Sequence, residues 1–111
     1  MKHEMNLHDE PFKLIQNGSK TIEMRLNDEK RQLLNINDTI EFTNRVTLEK
    51  LETKIINLYY YNSFKELYKN FDKISIGYKE DEEAKPEDME MYYSKEDIEK
   101  YGVVAIEIRR V

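Results

Sequence analysis

Apolar and polar residues alternate along several stretches of the chain, and this period of two predicts β-strands. The strands predicted in this way cover residues 22–26, 39–43, 48–61 and 103–109. Within the longest stretch, the apolar parity changes at Ile55 and Ile56. Such a change predicts a β-bulge or a barrel corner. Met5 and Leu7 also alternate, which indicates a short edge strand near the start of the chain.

Short helices are predicted between these strands. Apolar residues recur at helical spacing from Phe64 to Phe71, a stripe typical of a helix that packs on a core. Ser63 precedes that stripe and Ser94 precedes another, and serine is a favoured helix cap. A further helix is predicted to begin near Pro11 and to end at Gly18, which can adopt the positive φ of a helix stop. The pattern therefore predicts an α+β fold.

The composition bounds what kind of protein this is. With 111 residues, of which 39% are hydrophobic and 37% charged, residues 1–111 are predicted to form a single domain. The absence of cysteine excludes a disulfide framework and a thiolate metal site. His3 and His8 are five residues apart, which does not match a helical metal pair, so we expect both at the surface or in a turn. No metal or organic cofactor is implied.

No apolar run approaches the ~20 residues that a membrane-spanning helix needs, so no membrane association is expected. The first residues lack the apolar segment of a signal peptide, and a cytoplasmic location is the expectation that follows.

The charge distribution limits the possible partners. The net charge of −5 argues against tight, sequence-blind binding of nucleic acid, which usually requires a basic surface. Residues 79–90 hold seven acidic residues against two lysines, so we expect a solvated acidic segment there. The rest of the chain is close to neutral, which leaves room for a local basic cleft. No preference for DNA is evident.

The strongest candidate for chemistry is the stretch of residues 17–26, in which a glycine turn leads directly into a strand. Period-two geometry places Glu23 and Arg25 on the same face, roughly 7 Å apart. The turn delivers Lys20 beside them, so two cations and one carboxylate can line one patch. Such a patch suits a polar, planar or anionic ligand, with the guanidinium available for bidentate contacts. The same pattern is also typical of an exposed ion-pair ladder on a sheet.

This stretch resembles the signature of the ASCH domain, a family of small β-barrels related in fold to the PUA RNA-binding domain. The segments that carry the resemblance are Gly18-x-Lys20-x-x-Glu23-x-Arg25, Asp28-Glu29-Lys30-Arg31, Tyr92-Tyr93-Ser94-x-Glu96 and Tyr101-Gly102-Val103. Because these segments are spread along the sequence, the resemblance covers essentially the whole chain. It implies a PUA-like mixed barrel of about five or six strands with short helices packed around it.

The resemblance also implies two classes of function. In the first, the chain binds RNA or a modified nucleoside or nucleotide through Lys20, Glu23 and Arg25. A tyrosine such as Tyr93 then stacks on the base. The tyrosines available for stacking, which are equally typical of a core and its rim, are Tyr59, Tyr60, Tyr61, Tyr92 and Tyr93.

In the second class the chain is an enzyme. Some small ASCH proteins are amidohydrolases that remove the acetyl group of 4-acetylcytidine with a lysine in this turn, a threonine three residues later and a distant glutamate. Lys20 matches that lysine, whereas Glu23 stands where the threonine is expected. Lys20 and Glu23 are therefore the catalytic candidates only if the chain is an enzyme. Asp81, Glu82 and Glu83 occupy the broad region of the distant glutamate, but they belong to the acidic segment that we expect to be solvated. A third class is a protein-interaction domain that uses the acidic segment.

Overall fold

The computed structural model describes residues 1–111 and contains one five-stranded sheet that curls into an open barrel. The strands are β1 (Lys2–Leu7), β2 (Ile22–Leu26), β3 (Thr39–Asn44), β4 (Lys50–Tyr61) and β5 (Val103–Arg110). The α-helices are α1 (Asp9–Gln16), α2 (Phe64–Asn70) and α3 (Lys95–Tyr101), and 3-10 helices cover Arg31–Leu33 and Pro86–Met91. The predicted α+β class, a small mixed barrel with short helices around it, is confirmed.

The strand order is β1-β3-β4-β5-β2, so β1 and β2 lie at the two edges of the sheet. Only β1 and β3 pair in parallel. The predicted irregularity in the longest strand is confirmed, because the register of β4 against β5 shifts between Ile55 and Asn57. This β-bulge lets a single long strand turn a corner of the barrel.

Strand β5, which lies between β4 and β2, is covered on both faces. Val104 and Ile106 pack in one core cluster with Phe12 and Ile15 of α1. The alternate residues of β5 pack in a second cluster with α2, so the aromatic stripe of α2 lies in the core as predicted. Burial on both faces accounts for the continuous apolar run from Val103 to Ile106.

The predicted helix ends are also found. Ser63 Oγ accepts from the Glu66 N–H at 3.2 Å, and Ser94 Oγ accepts from the Asp97 N–H at 3.1 Å. Gly18 follows α1 with φ +88°, the left-handed conformation that glycine adopts most readily.

The two histidines have different environments. His8 is exposed at the N-terminus of α1, as expected. The expectation for His3 is wrong, because its side chain is only 12% exposed and its Nε2 lies 2.8 Å from Asp38 Oδ2. An acidic partner immediately before β3, the strand that pairs with β1, holds this polar ring, and the sequence does not show that pairing. No helix is long and apolar enough to cross a bilayer.

Candidate ligand-binding cleft

The candidate site begins where α1 passes into β2. After the Gly18 turn, the Lys20 N–H donates to Leu14 O of α1 at 3.0 Å, which fixes the position of Lys20. Thr21 and Ile22 both donate their backbone N–H groups to Ser75 O, so the 72–78 loop lies along the start of β2. Lys20 is thereby enclosed between α1 and that loop, and it is only 8% exposed.

Lys20, Glu23 and Arg25 form one hydrogen-bonded group, which we call the buried trio. Lys20 Nζ lies 2.8 Å from Glu23 Oε1. Arg25 Nε donates to the other carboxylate oxygen, Glu23 Oε2, at 2.7 Å. Arg25 Nη2 also donates to Asn6 O of β1 at 3.1 Å, so it links the two edge strands. The predicted juxtaposition of these three side chains is therefore present in the structure.

The charges of the buried trio are fixed by their mutual contacts. Burial alone raises the pKa of Glu23, but the positive charges of Lys20 and Arg25 outweigh it and lower that pKa to about 2. Glu23 is therefore ionised at neutral pH, and the trio carries one net positive charge.

Both carboxylate oxygens of Glu23 are already occupied by these cations, whereas the cations keep unused donors. An ammonium has three N–H groups and a guanidinium has five. The only protein partner of Lys20 Nζ is Glu23, and the Arg25 guanidinium has only Glu23 and Asn6 O. The floor of the site therefore offers hydrogen-bond donors, which suit a ligand with carbonyl, carboxylate or phosphate acceptors. Glu23 holds the two cations in place.

The buried trio lies at the bottom of a cleft of about 610 Å³ between the open edges of β1 and β2. Small-molecule sites in proteins commonly measure about 300–1,000 Å³. The aromatic side chains that line this cleft are His8, Tyr68, Tyr78, Tyr92 and Tyr93. The cleft thus combines a charged, donor-rich floor with aromatic walls.

The two tyrosines of the family motif differ in how much ring surface they offer. Tyr93 stacks on Phe64 with ring centroids 5.9 Å apart and an interplanar angle of 17°, so one of its faces is already covered. Burial raises the pKa of the Tyr93 phenol, although the nearby charge of Arg25 opposes this. Tyr92 is 57% exposed, and its ring centroid lies 6.1 Å from that of His8. Tyr59 and Tyr61, by contrast, pack against the second core cluster, and Tyr60 is exposed away from the cleft.

The acidic segment is partly built into the cleft, which corrects the expectation that it is solvated throughout. Tyr78 donates its hydroxyl hydrogen to Asp88 Oδ2 at 2.7 Å, and the Tyr68 hydroxyl lies 2.9 Å from that of Tyr78. Burial and these hydrogen bonds raise the pKa of Tyr78 strongly. Of the three acidic candidates for a hydrolase, Glu82 lines the cleft whereas Asp81 and Glu83 are exposed outside it.

The sequence did not predict that several further residues line the cleft, namely His8, Arg45, Gly77, Tyr78 and Asp88. They come from four separate parts of the chain and meet only through the tertiary fold. Gly77 is the most telling, because it has φ +110° and a Cβ built on it lies 3.1 Å from Lys20 Cδ. The loop therefore approaches Lys20 as closely as a glycine permits. No group of three or more His, Asp or Glu side chains is placed to hold a metal ion.

Comparison with known proteins gives a consistent result for the whole chain. The model of the ASCH domain family matches residues 5–111. The hypothetical protein PH0355 has a crystal structure with 35% sequence identity and a TM-score of 0.84, and the match covers 100% of both chains. Protein PF0455 from Pyrococcus furiosus has a solution NMR structure with 32% identity and a TM-score of 0.78, covering 100% of this chain and 98% of that one.

A more distant structure shows the same fold. ZmASCH from Zymomonas mobilis, solved as its S128A mutant, is 15% identical with a TM-score of 0.63, and the match covers 97% of this chain and 67% of that one. No curated protein matches the chain. The family match over almost the entire sequence, together with the geometry of the signature turn and strand, leads to one conclusion: the chain belongs to the ASCH domain family.

Proposed function

We propose that this ASCH domain binds a nucleotide-like ligand, free or as one unit of an RNA strand, in the cleft above the buried trio. The observation that carries the proposal is the pair of buried cations, Lys20 and Arg25, which keep unused donors at the bottom of a cleft of small-molecule size. Nucleobases present carbonyl and ring-nitrogen acceptors to such donors. The aromatic walls offer surfaces on which a base stacks, as is common in recognition of single-stranded nucleic acid.

The size and charge of the cleft favour recognition of a single unit over a long strand. Its lining includes the carboxylates of Glu10, Glu82 and Asp88 as well as cations, so it lacks the uniformly basic surface that follows a phosphate backbone. An RNA ligand therefore inserts one nucleotide into this cleft.

Isothermal titration calorimetry tests the proposal with ribonucleosides, their 5′-monophosphates and short RNA as probes. Wild type is compared with Lys20→Gln and with Lys50→Gln, an exposed lysine outside the cleft whose loss changes the net charge equally. Loss of a charge-assisted hydrogen bond weakens binding by about tenfold or more, so we expect this loss for Lys20→Gln only. No binding to wild type, or equal weakening by both variants, overturns the proposal. Circular dichroism of the free variants verifies that both are folded.

A hydrolase is the second candidate, favoured by one observation: Lys20 and Glu23 form a buried ion pair within the cleft. Hydrolysis of 4-acetylcytidine would consume water and release cytidine and acetate. The low pKa of Glu23 argues against proton uptake by this carboxylate at neutral pH, so we rank binding first. Chromatography of 4-acetylcytidine incubated with wild type separates the two candidates, because only a hydrolase releases cytidine and loses that activity in Lys20→Gln.

A further inference from the structure

Arg45 lies at the cleft on a short turn that the fold holds firmly. Asn44 precedes it and is fully buried, with its side-chain Oδ1 accepting from the Val46 N–H at 2.8 Å and its Nδ2 donating to Asp9 Oδ1 at 2.9 Å. The Arg45 N–H donates to Leu7 O at 2.9 Å, because β1 and β3 end in register at Leu7 and Asn44. The backbone of Arg45 is thus fixed against β1, directly beside the cleft.

The turn also contains an unusual backbone conformation. Leu48 has φ +64°, a left-handed value that is rare for a residue other than glycine, asparagine or aspartate. Its N–H donates to Asn44 O at 2.8 Å, and the Asn44 N–H donates to Glu49 O at 2.9 Å. Backbone conformations of this kind persist where surrounding contacts impose them, and they cluster at functional positions. Here the closed turn presents Arg45 to the cleft.

Arg45 is the cleft cation without a protein partner. Among the arginines, Arg25 and Arg31 form ion pairs with carboxylates. The arginine side chains that donate hydrogen bonds are those of Arg25 and Arg110. Arg45 nevertheless lines the cleft and is exposed. Its planar guanidinium is therefore free to receive an anion at the mouth.

The carboxylates that line the cleft, by contrast, are all engaged. Glu10 pairs with Lys79 Nζ at 3.2 Å, and Glu82 accepts from the Lys79 N–H at 2.7 Å. Asp88 accepts from Tyr78, and Glu23 from the buried cations. Each cleft carboxylate therefore has at least one donor from the protein, whereas the guanidinium of Arg45 has no acceptor from the protein.

We propose that Arg45 binds the phosphate of the ligand, while the buried trio receives its base at the floor of the cleft. This inference rests on the proposed function and makes it more specific, since it selects a nucleotide over a nucleoside. A guanidinium matches the geometry of phosphate oxygens with two parallel N–H donors, which makes arginine especially suited to this contact. Both a terminal phosphate of a mononucleotide and an internal phosphodiester of RNA provide these oxygens.

The test compares matched ligands by isothermal titration calorimetry at about 50 mM NaCl, where charge screening is weak. The probes are the four ribonucleosides, their 5′-monophosphates, a dinucleotide with an internal phosphodiester and inorganic phosphate. The proteins are wild type, Arg45→Gln and the control Arg109→Gln, which removes an exposed arginine that does not line the cleft. Both substitutions are at exposed positions and remove the same charge.

We expect a 5′-monophosphate to bind wild type about tenfold more tightly than its nucleoside, and Arg45→Gln to remove that advantage without changing nucleoside affinity. Arg109→Gln leaves both affinities unchanged. A dinucleotide that also loses about tenfold in Arg45→Gln identifies RNA as a source of the phosphate, and an unaffected dinucleotide restricts it to the terminal phosphate. Equal binding of nucleoside and nucleotide, or equal losses in the two variants, overturns the role of Arg45 while the proposed function stands. If wild type binds no nucleoside, nucleotide or dinucleotide, the proposed function itself fails.

Discussion

Two groups of side chains in this protein have the same arrangement of charges but different surroundings. In each, a glutamate lies between two cations: Glu23 between Lys20 and Arg25, and Glu41 between Lys2 and Lys50. The second group, which we call the exposed trio, joins β1, β3 and β4. Its cations are 53% and 60% exposed, whereas those of the buried trio are 8% and 14% exposed. The two groups share one pattern of charges and differ chiefly in burial.

The pattern around Glu23 allowed two interpretations, a patch that binds a ligand and an exposed ion-pair ladder on a sheet. The two trios illustrate the difference between them. The exposed trio is the ion-pair ladder that the pattern around Glu23 also allowed, and surface pairs of this kind contribute little to stability. The buried trio removes three charges from water, which is unfavourable unless the contacts between them are good. Its position beneath a cleft supports the proposed role in ligand recognition.

Removal of the central carboxylate should give the largest difference between the two trios in the free energy of unfolding. Glu23→Gln leaves Lys20 and Arg25 buried without an anion, and breaking a buried ion pair typically costs about 3–5 kcal/mol. We expect the free energy of unfolding in urea at pH 7 to fall by that amount. Glu41→Gln, the matched control, is expected to lower the free energy of unfolding by only a small fraction of that amount. Equal effects of the two substitutions would contradict the comparison.

Acid should weaken the buried trio in a defined range of pH. The pKa of Glu23 in the folded protein is about 2, below its ordinary value of 4.5, so its contribution is fully present above about pH 4.5 and is lost as pH falls towards 2. This contribution amounts to about 3 kcal/mol. We expect the difference in unfolding free energy between wild type and Glu23→Gln to shrink over that range. A difference that stays constant from pH 7 to pH 3 would show that the Glu23 charge does not stabilise the fold.

A smaller perturbation moves Lys20 without removing any charge. Gly77→Ala introduces a Cβ 3.1 Å from Lys20 Cδ at φ +110°, whereas Gly18→Ala introduces one 3.2 Å from Arg110 Nη2 at φ +88°. Both substitutions carry a similar backbone strain of about 1–2 kcal/mol. Only Gly77→Ala should raise the pKa of Glu23, because it displaces the neighbouring ammonium. Carboxyl ¹³C NMR titrations measure this pKa, and an unchanged value in Gly77→Ala would exclude tight packing of the loop on Lys20.

The smallest expected effect is that of salt, which should act differently on the exposed trio and the buried trio. At 1 M NaCl the screening length falls to about 3 Å, which weakens exposed pairs far more than buried ones. The effect of Glu41→Gln on the melting temperature should therefore vanish in 1 M NaCl, while that of Glu23→Gln persists. Loss of both effects in salt would indicate that water and ions reach the buried trio.

Much of the fold could be predicted from the sequence because its determinants are local. The parity change at Ile55 and Ile56 marked the bulge of β4, and Ser63 marked the start of α2. The buried trio was also predictable, since the period of a strand places Glu23 and Arg25 on one face and the turn at Gly18 delivers Lys20 beside them. Its burial was not, because that depends on the 72–78 loop, which reaches β2 through Ser75 O.

The rest of the site could not be predicted because it depends on long-range pairing. Arg45 reaches the cleft through the parallel register of Leu7 with Asn44, which brings together residues 37 positions apart. Asp88 reaches it through Tyr78, in a segment whose composition alone indicated solvent exposure. His3 was misassigned for the same reason, since its partner Asp38 lies immediately before β3, 35 positions away in the sequence.

The proposed site of ligand recognition is the buried trio and its cleft. Two-dimensional ¹H–¹⁵N NMR of wild type, titrated with the tightest-binding ribonucleoside 5′-monophosphate, tests this location residue by residue. We expect the backbone signals of residues 20–25, 77–78 and 92–93, and that of Arg45, to shift together and saturate with one affinity. Shifts confined to Lys2, Glu41 and Lys50, or no shifts in the cleft at millimolar ligand, would contradict it.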